Sequence, residues 1–275
     1  MFKKYWKFFV IFWSVVLVGI IGVFVFFWLI SAGKLGFMPT FEELENPNNR
    51  FASEVYFADG PIMNRYFEKE NRKYIEYREI PQSVIDALIA TEDVRFYDHS
   101  GVDVRGLFRV AKGLLTANTS AGGGSTISQQ LAKMLFPRES DLNVFELAIR
   151  KFREWVIAVR LEKSYTKEEI LTMYLNKYDF LNLAVGISSA ADIYFQVPLD
   201  SLKVEQAAML IGMAKNSSYY NPVRRPELTL NRRNVVLSQM YKYDKITREE
   251  CDSLKKLPLG LNFKRVDHKE GLATY

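Results

Sequence analysis

Residues 8 to 30, FFVIFWSVVLVGIIGVFVFFWLI, form one apolar run without a charge. As a helix this run extends about 35 Å at ~1.5 Å per residue, enough to cross the hydrocarbon core of a bilayer. Trp6 and Trp28 stand near its ends, where amphipathic rings favour the membrane–water interface. Lys3, Lys4 and Lys7 precede the run, and only Lys34 follows closely. That asymmetry makes residues 1–7 a cytoplasmic tail, 8–30 a signal-anchor, and everything after it a domain on the outer face of the membrane. The run is longer than the roughly 7–15 apolar residues of a cleaved leader. A buried core helix, the other way to use such a stretch, would rarely stay uncharged for so long.

The remaining roughly 240 residues suffice for one large or two small domains. A hydrophobic share of 48% against 25% charged allows a packed core and excludes wholesale disorder. The net charge of +5 suits an anionic partner, whether phospholipid, phosphate or nucleic acid, and equally suits a plain basic surface. Nucleic acid is excluded by the outward orientation. Cys251 is the only cysteine, and the two histidines, His99 and His268, lie far apart. An intrachain disulfide and a thiolate metal site are therefore excluded, and a zinc cluster is disfavoured. An oxygen-liganded cation such as Mg²⁺ would leave little trace in sequence.

Residues 31–80 read as a linker followed by a short hairpin. Ser53 to Phe57 and Ile62 to Tyr66 are strand-like, and Asp59-Gly60 lies between them, although Pro61 weakens the turn signal. Helices dominate from residue 81. Val84, Ile85, Leu88 and Ile89 mark the first, with Ser83 and Asp86 resembling a capping box. Residues 104–118 combine Leu107, Phe108 and Val110 with Arg105, Arg109 and Lys112, a basic amphipathic pattern that suits a membrane surface or an ordinary packed helix. Another helix starts after Ser125 or Thr126. A long one runs from Asp141 to about Ser164, with an apolar stripe of Phe145, Ala148, Ile149, Phe152, Trp155, Val156 and Val159. Thr166 with Glu169 opens the next as a capping box. Residues 183–195 and 204–214 follow, and Arg232-Arg233 open a last helix. Beyond Asp244 the chain is charged and broken by Pro258 and Gly260, the start of a linker over 246–275.

Three places carry chemistry. Glu92-Asp93 stands at the C-terminal end of its helix, where the helix dipole disfavours carboxylates. Such a local conflict hints at function, although two solvated acids would look the same. Gly122-Gly123-Gly124 runs into Ser125-Thr126, so a helix N-terminus there offers free N–H groups to phosphate oxygens. The Gly-Lys-Ser/Thr ending of a Walker loop is missing. Arg150-Lys151 with Glu154 forms a basic cluster holding one acid, which spacing alone reads as a surface ion pair of about 0.3–0.5 kcal/mol.

In order, these motifs resemble the glycosyltransferase domain of class A penicillin-binding proteins, glycosyltransferase family 51, over roughly residues 50–250. E-D-x-x-F-x-x-H-x-G is met by Glu92, Asp93, Phe96, His99 and Gly101. The next motif appears as Gly123-Gly124-Ser125-Thr126-Ile127-Ser128-Gln129-Gln130, with Ser128 where threonine is usual. R-K-x-x-E is Arg150, Lys151 and Glu154. K-x-x-I-L-x-x-Y-L-N is Lys167, Ile170, Leu171, Tyr174, Leu175 and Asn176, and R-R-x-x-V-L is Arg232, Arg233, Val236 and Leu237. Tyr194-Phe195-Gln196-Val197 departs from the family's usual Tyr-Phe-Gly-Lys.

The resemblance implies a mainly α, lysozyme-like lobe over 81–245 and a smaller membrane-proximal lobe over 104–145. It implies polymerisation of lipid II into β-1,4 glycan strands with inversion and loss of undecaprenyl pyrophosphate. Glu92 would be the general base. Glu154, with Arg150 and Lys151, would stabilise the donor pyrophosphate or hold a divalent cation, Mg²⁺ or Mn²⁺. Asp93, Phe96, Ser125, Thr126, Gln129, Gln130, Lys167 and Asn176 would contact substrate. Partners would be lipid II, the growing strand, the bilayer of the bacterial inner membrane, and proteins of cell-wall synthesis or division. A transpeptidase domain usually follows in this family, and 246–275 would lead toward it. Two other readings stay in view: a lysozyme-like enzyme that cleaves glycan, and a catalytically silent membrane scaffold.

Overall fold

The computed structural model describes residues 2–40, 53–56, 62–66, 71–116, 123–135 and 143–264. The architecture is mainly α, as expected. Helix α1 (Phe2–Ser31) includes Tyr5–Ser31, which is long and apolar enough to cross a membrane and has none of that apolar window buried in the protein. Strands β1 (Ser53–Tyr56) and β2 (Ile62–Tyr66) pair antiparallel, with an irregularity between Val55 and Tyr56. The expected Asp59-Gly60 turn, most of the 116–125 loop including Gly122, and the tail beyond 264 lie outside the described residues.

The body is built from α2 (Gln82–Glu92), α3 (Val104–Leu115), α4 (Ile127–Leu135), α5 (Val144–Ser164), α6 (Lys167–Lys177), α7 (Ile187–Phe195), α8 (Val204–Met213), α9 (Pro226–Lys242) and α10 (Arg248–Lys256). A small strand β3 (Asn71–Arg72) pairs parallel with β4 (Ala184–Val185). Helix α2 packs on α8 and α9, and α4 packs on α5 and α6. Their inner faces, including Val84, Leu88, Leu131, Leu171, Leu210 and Val236, join in one core. Burying each such side chain contributes roughly 1.5–3 kcal/mol, which is why the apolar periodicity sets the helix faces.

Several expectations are corrected. No side chain caps α2: Pro81 stands at its N-cap, and Asp86 instead accepts from Gln82 Nε2 at 3.2 Å. Helix α7 begins at Ile187, because Ala184 and Val185 are drawn into pairing with β3. Helix α9 begins at Pro226, well before Arg232; proline at the first turn lacks only an N–H that would be unpaired there anyway. The charged stretch read as the start of a linker contains α10, opened by a Thr247–Glu250 capping box and held by Cys251, which is 2% exposed. Arg233 is fully buried and donates to the carbonyls of Lys255, Leu257 and Pro258, closing the end of that helix.

The stripe on α5 is a further correction. Its buried residues are Arg153, Glu154, Ile157, Ala158 and Leu161, of which Ile157 and Leu161 join the core, while Val144 and Phe145 are exposed. Phe152 meets Phe26 and Phe27 of the anchor edge-on, with centroids 5.4 and 5.7 Å apart. The apolar periodicity was real, but much of that stripe lies away from the core, with Phe152 on the anchor. Arg160 completes this junction by donating to Ser31 O and Oγ, each at 2.8 Å, and to Pro39 O at 3.0 Å.

Candidate active site

Glu92 ends α2 at the wall of a cleft of about 420 Å³. The cleft is lined by Thr91, Glu92, Arg109, Gly123, Ser125, Gln130, Lys215, Arg232, Gln239, Lys242 and Tyr243, among others. Among the described residues Glu92 is the one acid in this lining, facing four cations contributed by α3, α9 and the turn after α8. Its Oε2 accepts from Gln130 Nε2 at 3.0 Å and its Oε1 lies 3.3 Å from Arg232 Nη2. The side chain is 14% exposed, so the carboxylate is held at both oxygens yet still borders open space. A carboxylate so placed can take a proton from a hydroxyl, and the surrounding cations can hold a polyanion.

Asp93 resolves the dipole conflict noted in the sequence. It caps the C-terminal end of α2, but its carboxylate reaches across to the N-terminus of α4, where Oδ2 accepts from Ile127 N at 3.1 Å. There the dipole favours an anion. His99 Nε2 stands 3.0 Å from the same oxygen, and His99 Nδ1 accepts from Gly101 N at 3.2 Å, so Nε2 carries the proton given to Asp93. A Cβ on Gly101 would lie 2.7 Å from the Ala158 carbonyl, so this motif glycine (φ +92°) admits α5 at contact distance.

Glu154 projects from α5 and is 9% exposed. It pairs with Lys151 Nζ at 2.8 Å, not with Arg150 as helical spacing suggested. The same ammonium donates to Ser125 Oγ at 3.0 Å. Ser125 also lines the Glu92 cleft, so the two acids are joined through Ser125 and Lys151 into one continuous site. Arg150 is half-buried on the same helix.

Other expected contacts turn out to be framework. Phe96 is fully buried, with Lys167 Nζ 4.3 Å above its ring. Lys167 also binds Glu162 at 2.7 Å and the His99 carbonyl, so its charge is spent inside the fold. Glu162 in turn accepts from Ser128, which keeps the hydroxyl of the more usual threonine in use. Asn176 clamps Ile75 with Nδ2 to O at 2.9 Å and N to Oδ1 at 3.1 Å. Thr126 caps α4, its Oγ1 accepting from Gln129 N at 3.2 Å while donating to Gly101 O. Gln129 is 1% exposed and its side-chain amide has no hydrogen-bond partner among the described residues, whereas Gln130 faces the cleft. Nearby, Arg95 ties Asp103, which stands just before α3 and accepts from Gly106 N, to the segment after Glu92. Burial works to raise the Asp103 carboxyl, but Arg95 and the Gly106 N–H outweigh it and hold it below its ordinary value.

Among the described residues, protein donors do not form a divalent-cation site at Glu154. Its carboxylate is already paired with Lys151, and the described residues contain no cluster of three His, Cys, Asp or Glu. A cation there would need substrate phosphates for most of its ligands. Lys215 and Lys242 were absent from the sequence-derived site. Arg109 and Arg232 appeared only as part of a basic helix and a motif.

The family profile described as transglycosylase matches residues 59–241. Penicillin-binding protein 1A of Escherichia coli is 36% identical over 226 residues, covering 82% of this chain and 26% of that protein. The Haemophilus influenzae protein of the same name is 36% identical over 235 residues, covering 86% of this chain and 26% of that protein. A crystal structure of the latter aligns with a TM-score of 0.44 at 23% identity, covering 78% of this chain and 22% of that one. The chain thus spans about a quarter of the length of these relatives.

Proposed function

Since this chain belongs to the transglycosylase family, we propose that it polymerises lipid II into β-1,4 peptidoglycan glycan strands, with inversion and release of undecaprenyl pyrophosphate. The single observation that carries the proposal is that Glu92 is the one carboxylate among the described residues lining a cleft that also presents four cations and two amides. The acceptor sugar hydroxyl is a poor nucleophile. Glu92 takes its proton as the oxygen attacks the donor anomeric carbon, a contribution of about 10²–10⁴-fold. The pyrophosphate leaves from the opposite face, which inverts the anomeric centre. Its growing charge is met by Arg109, Lys215 and Arg232 from the cleft wall and by Lys151, which Glu154 holds in place. Ser125 and Gln130 supply hydrogen bonds to sugar or phosphate oxygens. Mg²⁺ or Mn²⁺, when bound with the substrate, would neutralise phosphate charge beside Glu154.

The membrane completes the reading. Anchor and polyprenyl tail share one bilayer, with the N-terminus in the cytoplasm and the cleft on the outer face. Val104, Phe108 and Leu115 on α3 and Val144 and Phe145 on α5 are exposed apolar side chains, which supports a lobe resting in the lipid surface. The test is a gel of products from purified protein with labelled lipid II and, separately, with finished glycan. Polymer from lipid II that disappears in Glu92→Gln supports the proposal. Cleavage of finished glycan without polymerisation would replace it with a hydrolase, and no turnover of either would leave a scaffold.

A further inference from the structure

Tyr174 on α6 is 1% exposed, and its hydroxyl donates to Gln130 Oε1 at 3.1 Å. Gln130 Nε2 in turn stands 3.0 Å from Glu92 Oε2. The inventory of donors and acceptors leaves one arrangement that satisfies every group. A carboxylate paired with a guanidinium only accepts, so Gln130 must turn its NH₂ toward Glu92. The amide oxygen then points into the core, where only an O–H meets it. Burial first, and the nearby charge of Glu92 second, push the Tyr174 phenol well above its ordinary value, so it stays protonated and available as a donor. Its ring is fixed as well, stacked on Tyr178 with centroids 5.9 Å apart. Tyr174 itself does not line the cleft.

We propose that Tyr174 is a positioning residue for glycosyl transfer, acting through Gln130 to keep the Glu92 carboxylate aimed into the cleft. The inference rests on the reading of Glu92 as the base. A tyrosine that merely fills the core would use its ring, and phenylalanine would replace it without loss. A tyrosine that orients Gln130 acts through one oxygen atom. Without that atom the amide oxygen is buried and unsatisfied, and rotation of Gln130 to relieve it removes the donor from Glu92.

The experiment compares wild type, Tyr174→Phe, Gln130→Ala and the double variant in the full membrane-anchored chain, using labelled lipid II. Tyr174→Phe is expected to lower kcat by about 10- to 100-fold with KM nearly unchanged, the signature of a misplaced catalytic group. The double variant is expected to be no slower than Gln130→Ala alone, because the tyrosine has nothing left to act through. Wild-type kcat in Tyr174→Phe, or a loss that adds in full on the Gln130→Ala background, overturns the proposal. A second readout needs no turnover: the Gln130 side-chain ¹⁵NH₂ signals. They should be dispersed and slow to exchange in wild type and should move toward free-amide positions in Tyr174→Phe. A solvent-averaged pair in wild type overturns the relay. Failure of wild type to polymerise lipid II would instead sink the functional reading, and the amide signals would still decide the relay.

Discussion

Asp93→Ala separates framework from chemistry at adjacent positions. The Asp93 side chain is 4% exposed and His99 7%, so neither reaches solvent. Removing the carboxylate strands the Ile127 N–H and the His99 Nε2–H, each a buried donor. Each stranded donor costs roughly 1–3 kcal/mol, so the two together cost about 2–6 kcal/mol. At ~2–4 °C per kcal/mol for a domain of this size, Tm should fall by roughly 4–24 °C. Glu92→Gln should instead leave Tm close to wild type, because its partners Gln130 and Arg232 border the cleft, while abolishing polymerisation. The assay pairs thermal unfolding in detergent with the lipid II gel on both variants. A Tm for Asp93→Ala within about 3 °C of wild type would refute the claim that this carboxylate fastens the start of α4.

Glu154→Gln and Arg150→Ala should each lower lipid II turnover by about 10²-fold or more, and near-normal rates in both would reduce this cluster to a surface ion pair. Gln196 ends α7 at φ +55°, ψ +40°, a left-handed conformation that costs an L-residue about 1–2 kcal/mol. Gln196→Gly should raise stability by roughly 0.5–1 kcal/mol after the added flexibility of the unfolded chain, and an unchanged or lower Tm would count against the strain. Asp103 has a folded-state value below its ordinary one, so its tether to Arg95 is fully present above about pH 4 and is lost as pH falls through the folded value. Asp103→Asn should therefore flatten the acid limb of the Tm-against-pH curve, and an unaltered limb would refute that contribution.

The parts of the site that could be read from sequence are those carried on a short stretch. Glu92 with Asp93, Ser125 with Thr126, and Lys151 with Glu154 each announce themselves locally. Arg232 is 140 residues from the glutamate it touches, and no local pattern reports such a convergence. Lys215, just beyond the end of α8, is equally silent. Phe96, Lys167 and Asn176 were recognisable as motif members, but a motif does not say which way a side chain turns. All three turn inward, because Lys167 finds Glu162 and Asn176 finds the backbone of Ile75. Periodicity located α5 but misassigned its neighbour, since the partner of Phe152 is the anchor, more than a hundred residues earlier. Two missed boundaries had signals in the chain: Pro226 at the start of α9, and Thr247 with Glu250 opening α10.

On the proposed reading, the junction between α1 and α5 decides how the protein meets a substrate dissolved in lipid. Arg160 bridges Ser31 and Pro39, and a Cβ on Gly36 would come within 2.2 Å of the Arg153 guanidinium, which packs against the stem and would have to shift. Residues 31–40 are thus a stem seated against the helix that bears Glu154, not a slack tether. On the proposed reading, the height of the reacting oxygen above the bilayer is built into the protein. Lipid II must arrive by two-dimensional drift to a port at constant elevation, and an anchor lengthened by a turn would tilt or strain the stem without letting the cleft reach further.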